Sequence, residues 1–269
     1  MPTSPDQDPL RQVRDTLNPY RKGAGLLLDR VKWDLNPQSW RSRSALRDWK
    51  DRFPGRKAVI LCNGPSLLKV DFAALHEAEV FCFGLNKINL LFDSTRFRPG
   101  CVVAVNALVI EQNAAFYNST DLPLFLDRRA VGMVKGRPNV AFLHGGGFPY
   151  FARDCSVSLY QGHTVTYVAL QLAFHMGFRE VALVGADHTF ATKGPANLAV
   201  VSGGKDESHF HPDYFAGGMQ WQLPDLFQSE VAYTMARDMY AAFGGAVVNA
   251  TVGGQLEVFK RVALDDFLR

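Results

Sequence analysis

The stretch TVTYVALQLAFHMGFREVALVGADHTF, Thr164 to Phe190, holds one complete helix-to-strand unit. Thr164 can cap a helix through its hydroxyl, and Gly177 can end that helix by adopting a backbone conformation other residues resist. Glu180–Val184 then forms a short apolar run with β-branched residues, the pattern of a strand buried on both faces. It leaves at Gly185-Ala186-Asp187. Similar apolar runs stand at 58–61, 80–83, 101–105, 123–126, 140–143 and 246–248. Several are followed by helix-compatible segments at 67–76, 107–117 and 229–243. Strands alternating with helices predict an α/β fold with a Rossmann-like, mostly parallel sheet and helices on both faces.

The strand ends carry the functional signal. The first strand stops at Asn63, the second at Asn86, the third at Asn106 and a later one at Asp187. The strand beginning at Val140 runs into His144 and three glycines, and the last ends at Asn249-Ala250-Thr251. In a parallel sheet these positions share the carboxyl edge, where open α/β folds bind ligands. A single Asn there is usually a turn former or a cap. Repetition over so many strands points instead to an edge lined with amide and hydroxyl groups.

The corner Asn63-Gly64-Pro65-Ser66 has neither a G-x-G-x-x-G nor a G-x-x-x-x-G-K-[ST] fingerprint. Its chemistry still suits a nucleotide. Gly64 allows a tight turn and close approach, Pro65 fixes φ in the first turn of a helix, and Ser66 offers a hydroxyl beside free N–H groups. Asn63 carries both a donor and an acceptor with which to read a base or sugar.

Composition narrows the classes. The hydrophobic share is 47% and the charged share 20%, enough for a sizeable core, and a net charge of +3 gives no case for nucleic acid. The charge is uneven, however. Residues 1–57 hold 13 Lys/Arg against 7 Asp, so residues 1–56 are expected to form a basic helical arm and 57–269 the Rossmann-like domain. The arm is either a solvated appendage or a peripheral contact with an anionic membrane surface or partner, and Trp33 and Trp40 among its basic residues favour the contact. No segment has the length of a membrane span or the apolar core of a signal peptide. The four cysteines form no C-x-x-C pair, which points to small buried side chains and a reducing cytoplasm.

Five of the seven histidines fall in expected loops: His144, His163, His188, His209 and His211. Histidine titrates near neutrality and suits a general base. If the reaction transfers a sugar from a nucleotide donor, His209 or His211 is the expected base, with Asp213 as its orienter or replacement, and His188 beside Asp187 can donate to the departing phosphate. His209-x-His211 alone is too small a motif for a metal centre. Ser202-Gly203-Gly204-Lys205-Asp206 has the composition of a loop that closes over a donor, or of an ordinary solvated excursion. Tyr214, Phe215 and Trp221 either stack on an acceptor sugar or cover the core.

These residues resemble the bacterial family 42 sialyltransferases, a variant of the GT-A-like fold, over residues 57–251. That family has an N-G-P-S-L corner like Asn63–Leu67, an Asn after the second strand like Asn86, and an Asn followed by Glu-Gln like Asn106, Glu111 and Gln112. Its helix, turn and G-x-D strand end resemble Thr164, Gly177–Glu180 and Gly185-Ala186-Asp187. The chain is also similar to motility accessory proteins and to 6-hydroxymethylpterin diphosphokinase-like proteins. Residues 164–190 and 209–215 look closer to the small diphosphokinase-like branch.

The resemblance implies an inverting glycosyltransferase using a CMP-activated nonulosonate or related ulosonate in surface-glycan synthesis. The donor would lie on Asn63, Gly64, Pro65, Ser66, Asn86, Asn106, Thr164, Gly185 and Asp187. It implies no required cofactor and no bound metal. The alternatives are a Mg²⁺-dependent pyrophosphokinase using ATP and a catalytically silent nucleotide-sugar-binding subunit. The chain departs from family 42 where His188-Thr189-Phe190 replaces a phosphate-holding Tyr. It departs again where Asp213 stands at the spacing of the base.

Overall fold

The structure, a computed structural model, describes residues 18–190, 194–215 and 217–269. The first seventeen residues of the expected basic arm lie outside the described residues. The chain divides into two compact units, the first ending at Arg41 and the second running from Ser42 to Arg269. In the first unit Asn18 caps helix α1 (Pro19–Asp34) by accepting from Arg21 N, and Pro19 supplies its first turn. Helix α2 (Pro37–Trp49) crosses into the second unit.

The second unit is an eight-stranded sheet in which every pairing is parallel. In chain order come β1 (Lys57–Leu61), β2 (Phe81–Leu85), β3 (Cys101–Ala104), β4 (Leu124–Asp127), β5 (Val140–Leu143) and β6 (Glu180–Val184). A separate antiparallel pair, β7 (Ala199–Val201) and β8 (Gln220–Gln222), precedes β9 (Ala246–Asn249) and β10 (Lys260–Arg261). The large sheet is ordered β10-β9-β6-β1-β2-β3-β4-β5. From β1 the chain winds outward to β5, then returns to lay β6 on the other side of β1. That reversal makes the β1/β6 boundary the topological switch point, where open α/β sheets bind ligands beyond their carboxyl ends.

Burial explains the apolar runs. Ala58–Leu61 and Val181–Val184 are wholly buried, as central parallel strands covered on both faces must be. Helix α6 (Val165–His175) is buried from Thr166 to His175. It therefore has no polar face, and its polar side chains, Thr166, Tyr167, Gln171 and His175, are consumed internally. Gln171 accepts from Ala152 N and donates to Tyr160 O, while His175 contacts Leu46 O through Nε2 and accepts from Cys155 N at Nδ1. Burial lowers the pKa of His175, in keeping with a neutral ring. Gly177 ends the helix at φ +99°, where an L side chain would be strained.

Two helices expected as continuous are each broken in two. The 67–76 run becomes a 3-10 turn (Pro65–Lys69) and α3 (Phe72–Glu77), because Asp71 accepts from Ala73 N and Ala74 N and restarts the helix. The 107–117 run divides at Asn113 into α4 (Ala107–Gln112) and α5 (Ala114–Ser119). The Asp71 carboxylate offers the backbone a local partner that competes with a continuous helix, whereas the Asn113 side chain makes no cap and donates to Asn89 Oδ1 at 2.8 Å. Helix α7 (Leu226–Ala242) lies between β8 and β9, and α8 (Leu264–Leu268) follows β10. Among the described residues, no helix is long and apolar enough to cross a membrane.

Candidate functional site

The polar strand ends meet at the switch point. Cys62 N donates to Val184 O, and Gly64 N donates to Gly185 O at 2.9 Å, extending the β1/β6 ladder past both strands. Asp187 then turns its carboxylate back across the boundary. Its Oδ2 accepts from Ser66 N at 3.1 Å and Ser66 Oγ at 2.7 Å. The N–H and hydroxyl that the sequence offers to a phosphate thus serve an anion of the chain itself. Gly64 is required here by space: a Cβ would lie 2.7 Å from Gly185 O and against the Asp187 carboxylate.

Beside this pair, Asn63 is 9% exposed. Its Nδ2 donates to Leu85 O at 3.1 Å and to Tyr214 Oη at 3.0 Å. Its Oδ1 is buried and has no hydrogen-bond partner among the described residues. The same holds for Asn86 Oδ1 at the end of neighbouring β2. The Asn86 side chain also meets the Tyr214 hydroxyl, and its backbone sits at φ +47°. Two buried amide oxygens on adjacent strand ends are thus held ready to accept from something the described residues do not supply. Leaving such an acceptor unpaired costs about 1–3 kcal/mol.

A segment between β7 and β8 roofs these amides. Phe210 N donates to Asn63 O, and the Tyr214 ring is buried below. His209 stacks on that ring with centroids 4.0 Å apart and planes inclined by 1°. The Nδ1 of His209 is 2.8 Å from Asp206 Oδ2, while Asp206 Oδ1 accepts from Ser208 N and His209 N. Burial pushes the Asp206 carboxyl up, but bonding to His209, its charge and these N–H groups outweigh that and hold it below the ordinary range. A carboxylate on Nδ1 fixes that nitrogen as donor and leaves Nε2 as an acceptor, the arrangement of an oriented general base.

Lys87 pins the roof to the sheet. The residue is 4% exposed, and its ammonium donates to Gln112 Oε1 at 2.7 Å and to Tyr214 O at 2.6 Å. It also lies 4.8 Å from the Phe215 ring centroid. Burial lowers its pKa to about 8, with nearby Asp206 pulling the other way. Phe215 stacks on Trp221, so these aromatics cover the roof from behind.

The other residues singled out by sequence have separate partners. Asn106 caps α4 by accepting from Leu108 N. Thr164 caps α6, and its hydroxyl is 3.3 Å from Tyr233 Oη. His188, at φ +55°, contacts Glu230 through Nε2 at 2.9 Å. His163, at φ +60°, lies 3.9 Å from Asp225. His211 accepts from Asp213 N at 3.1 Å, and Asp213 itself is exposed. His144 is buried with Nδ1 3.1 Å from Ser158 Oγ. Asn249 and Thr251 brace the loop after β9, Thr251 by accepting from Ala186 N. Asn86, His163 and His188 share left-handed backbone that non-glycine residues adopt only at a cost, and such strain collects at functional sites.

The partner found on His209 is Asp206, not the expected orienter Asp213. Neither Lys87 nor Tyr214 was expected to bond into this cluster. The D-x-x-H spacing of Asp206 and His209 was visible in sequence, as was a lone lysine inside the apolar FGLNKINLLF. Among the described residues no group of three His, Cys, Asp or Glu could hold a metal ion. A cavity of about 520 Å³ lined by Arg56, Phe81, Phe97 and Arg98 lies at the amino end of β2, the opposite edge of the sheet.

Residues 35–193 match the family described as 6-hydroxymethylpterin diphosphokinase MptE-like. No curated protein matches the sequence. The fold is similar to the solved structure of the MAf glycosyltransferase from Magnetospirillum magneticum AMB-1, at 17% identity and a TM-score of 0.49. That match covers 85% of this chain and 39% of the other. With more than half of its length matched, the chain belongs to the MptE-like family.

Proposed function

We propose that this MptE-like chain is a transferase that passes an activated group from a nucleotide donor to a hydroxyl acceptor. We further propose that the donor is a CMP-activated nonulosonate or related ulosonate, used with inversion in the cytoplasmic synthesis of a bacterial surface glycan. The observation that carries this is the pair of buried, unpartnered oxygens Asn63 Oδ1 and Asn86 Oδ1 beside the switch point. They offer acceptors to the amine of a base or the hydroxyls of a ribose, groups a cytidine nucleotide supplies.

The chemistry follows from the roof. His209 Nε2, oriented by Asp206 through Nδ1, takes the proton of the acceptor hydroxyl. The acceptor oxygen bonds to the anomeric carbon as the bond from that carbon to the phosphate oxygen breaks, and CMP leaves with the electron pair. One displacement inverts the centre. In this reading His188, next in chain to Asp187, turns from Glu230 and donates its Nε2 proton to the leaving phosphate. No cofactor is needed for this step. A donor that reads Asn63 through Nδ2 as well as through the free Oδ1 displaces the Tyr214 hydroxyl and shifts the roof.

The family description favours a second reading, diphosphate transfer from ATP to a hydroxymethylpterin or similar alcohol. His209 would again serve as base. A Mg²⁺ ion carried on ATP needs only one or two carboxylates besides phosphate oxygens, and Asp187 is a carboxylate at the switch point that would serve. Thermal stabilisation by CMP, UDP, GDP and ATP, each with and without Mg²⁺, separates the readings. A metal-independent shift with CMP supports the ulosonate transferase. A shift with ATP and Mg²⁺ alone sinks it in favour of diphosphate transfer. CMP binding without turnover of any CMP-ulosonate marks a silent binding subunit.

A further inference from the structure

Helix α1 has two unlike faces. Trp33 is buried and Leu26 half-buried on one side, so Trp33 is not the exposed anchor the sequence implied. On another side Tyr20, Leu27, Leu28 and Val31 stand in water, from 44% exposed at Val31 to 88% at Tyr20. Leu35, the C-cap, is exposed as well. At 3.6 residues per turn, positions 20, 24, 27, 28, 31 and 35 fall on a single stripe, with exposed Ala24 completing it. A contiguous apolar surface left open to water marks an interaction site.

Its surroundings indicate the occupant. By the same periodicity Arg21 and Lys32 border the stripe on one side. From Asn18 to Arg41 the charges are Arg21, Lys22, Arg30, Lys32 and Arg41 against Asp29 and Asp34, with no Glu. Asp34 is paired with Arg30 at 2.9 Å. Trp40, exposed just beyond the helix, donates its ring N–H to Asp34 O while its apolar body faces water. A second copy packed stripe to stripe would bring like charges together along the rim and provide little acid to pair them. An anionic lipid surface satisfies both features at once, taking the apolar side chains below its headgroups and the cations onto its phosphates.

We propose that α1 lies in the interface of an anionic membrane, with Tyr20, Leu27, Leu28, Val31 and Leu35 facing the acyl region and Arg21 and Lys32 the headgroups. This stands apart from the catalytic reading. The test is flotation of the full chain with vesicles of phosphatidylcholine, alone or mixed with phosphatidylglycerol. Binding is expected only to the mixed vesicles and should weaken at roughly 0.5 M salt, where exposed charges are screened. Leu28→Glu/Val31→Glu should lower the vesicle affinity about tenfold or more. Val252→Glu, at an exposed apolar residue of the second unit, should leave it unchanged.

Arg21→Gln/Lys32→Gln gives an independent variant that keeps the stripe, and it should lose preference for phosphatidylglycerol. Matching thermal melts certify the fold of each variant. Equal binding by wild type and both variants overturns the proposal, as does a wild type that binds neither vesicle. A wild-type dimer in light scattering that Leu28→Glu/Val31→Glu makes monomeric, without vesicle binding, overturns it in favour of self-association.

Discussion

Replacing Lys87 with Met tests whether the roof is held by a desolvated cation. In the folded chain the Lys87 ammonium loses its proton near pH 8, against an ordinary value of 10.5, because burial penalises its charge. That difference corresponds to about 3 kcal/mol spent at neutral pH on keeping the charge indoors. Lys87→Met removes this cost but strands Tyr214 O and Gln112 Oε1, each worth about 1–3 kcal/mol when left unpaired. The two effects oppose each other at pH 7, so the level of stability discriminates poorly and its slope with pH discriminates well. Between pH 8 and 10.5 the unfolded chain holds the Lys87 proton and the folded chain does not. Stability therefore rises with pH across that window and is lost again as pH falls toward 8. From pH 7 to 9 the wild type should gain about 1 kcal/mol over the variant, and groups common to both proteins cancel in the difference. Urea unfolding of the two proteins at pH 7, 8 and 9 reads it directly. A gap that stays flat across the three pH values refutes the desolvated-cation account.

Three further changes probe the site and its support. Gly64→Ala forces a Cβ against Gly185 O and the Asp187 carboxylate, and should cost roughly 2 kcal/mol or more in chemical denaturation together with the stabilisation by nucleotide. An unchanged midpoint would show that the β1/β6 corner is looser than described. His209→Asn should lower kcat by about 10²–10⁴ while leaving nucleotide stabilisation intact. Asp206→Asn should lower it less and displace the pH profile, and full activity in both would remove His209 as base. Burial raises the pKa of all four cysteines, to about 12 for Cys62 and Cys82. A thiol reagent at pH 8 should thus label none of them in the native protein and all four in denaturant, whereas fast native labelling would contradict their burial.

The fold was legible because its evidence is local. Each buried parallel strand writes a short apolar run, and Thr164 and Gly177 mark the limits of α6 by side chain and backbone alone. The helix break at Asp71 was missed because helix-forming residues on both sides hide one local competitor for the backbone, and the break at Asn113 because its side chain turns to Asn89, 24 positions away. The site was legible only by residue type. Asn63, Asn86 and Asn106 look alike in sequence, each an amide at a strand end. In the structure Asn106 spends its oxygen on a helix cap, while the oxygens of Asn63 and Asn86 stay buried with no partner among the described residues. Whether His209 turns to Asp206 or to Asp213 depends on the path of a loop, which no spacing records. Lys87 meets Tyr214 across 127 positions, a distance at which pattern carries no information.

Those long separations bear on how the site would work. Ser66 and Asp187, 121 positions apart, close the corner at the sheet, so the floor of the site is fixed once β6 has docked on β1. The roof is attached differently, by single bonds from Phe210 N to Asn63 O, from Asn63 Nδ2 to Tyr214 Oη and from Lys87 Nζ to Tyr214 O. Two of these bonds join Asn63 of the proposed donor floor, and the third joins Lys87 beside it, to the segment that bears the proposed base. On that reading a donor that takes Asn63 Nδ2 as well as the free Oδ1 must break one bond of the set, and it moves the roof only by the difference in its affinity for the two positions. His209 stacks on the same Tyr214 ring, so releasing the tyrosine frees the imidazole from its platform while Asp206 keeps hold of Nδ1. Donor binding and base placement are then coupled through one side chain. A chain built this way would hold its base out of register until the donor is present, which protects an activated sugar from water better than a permanently open site does.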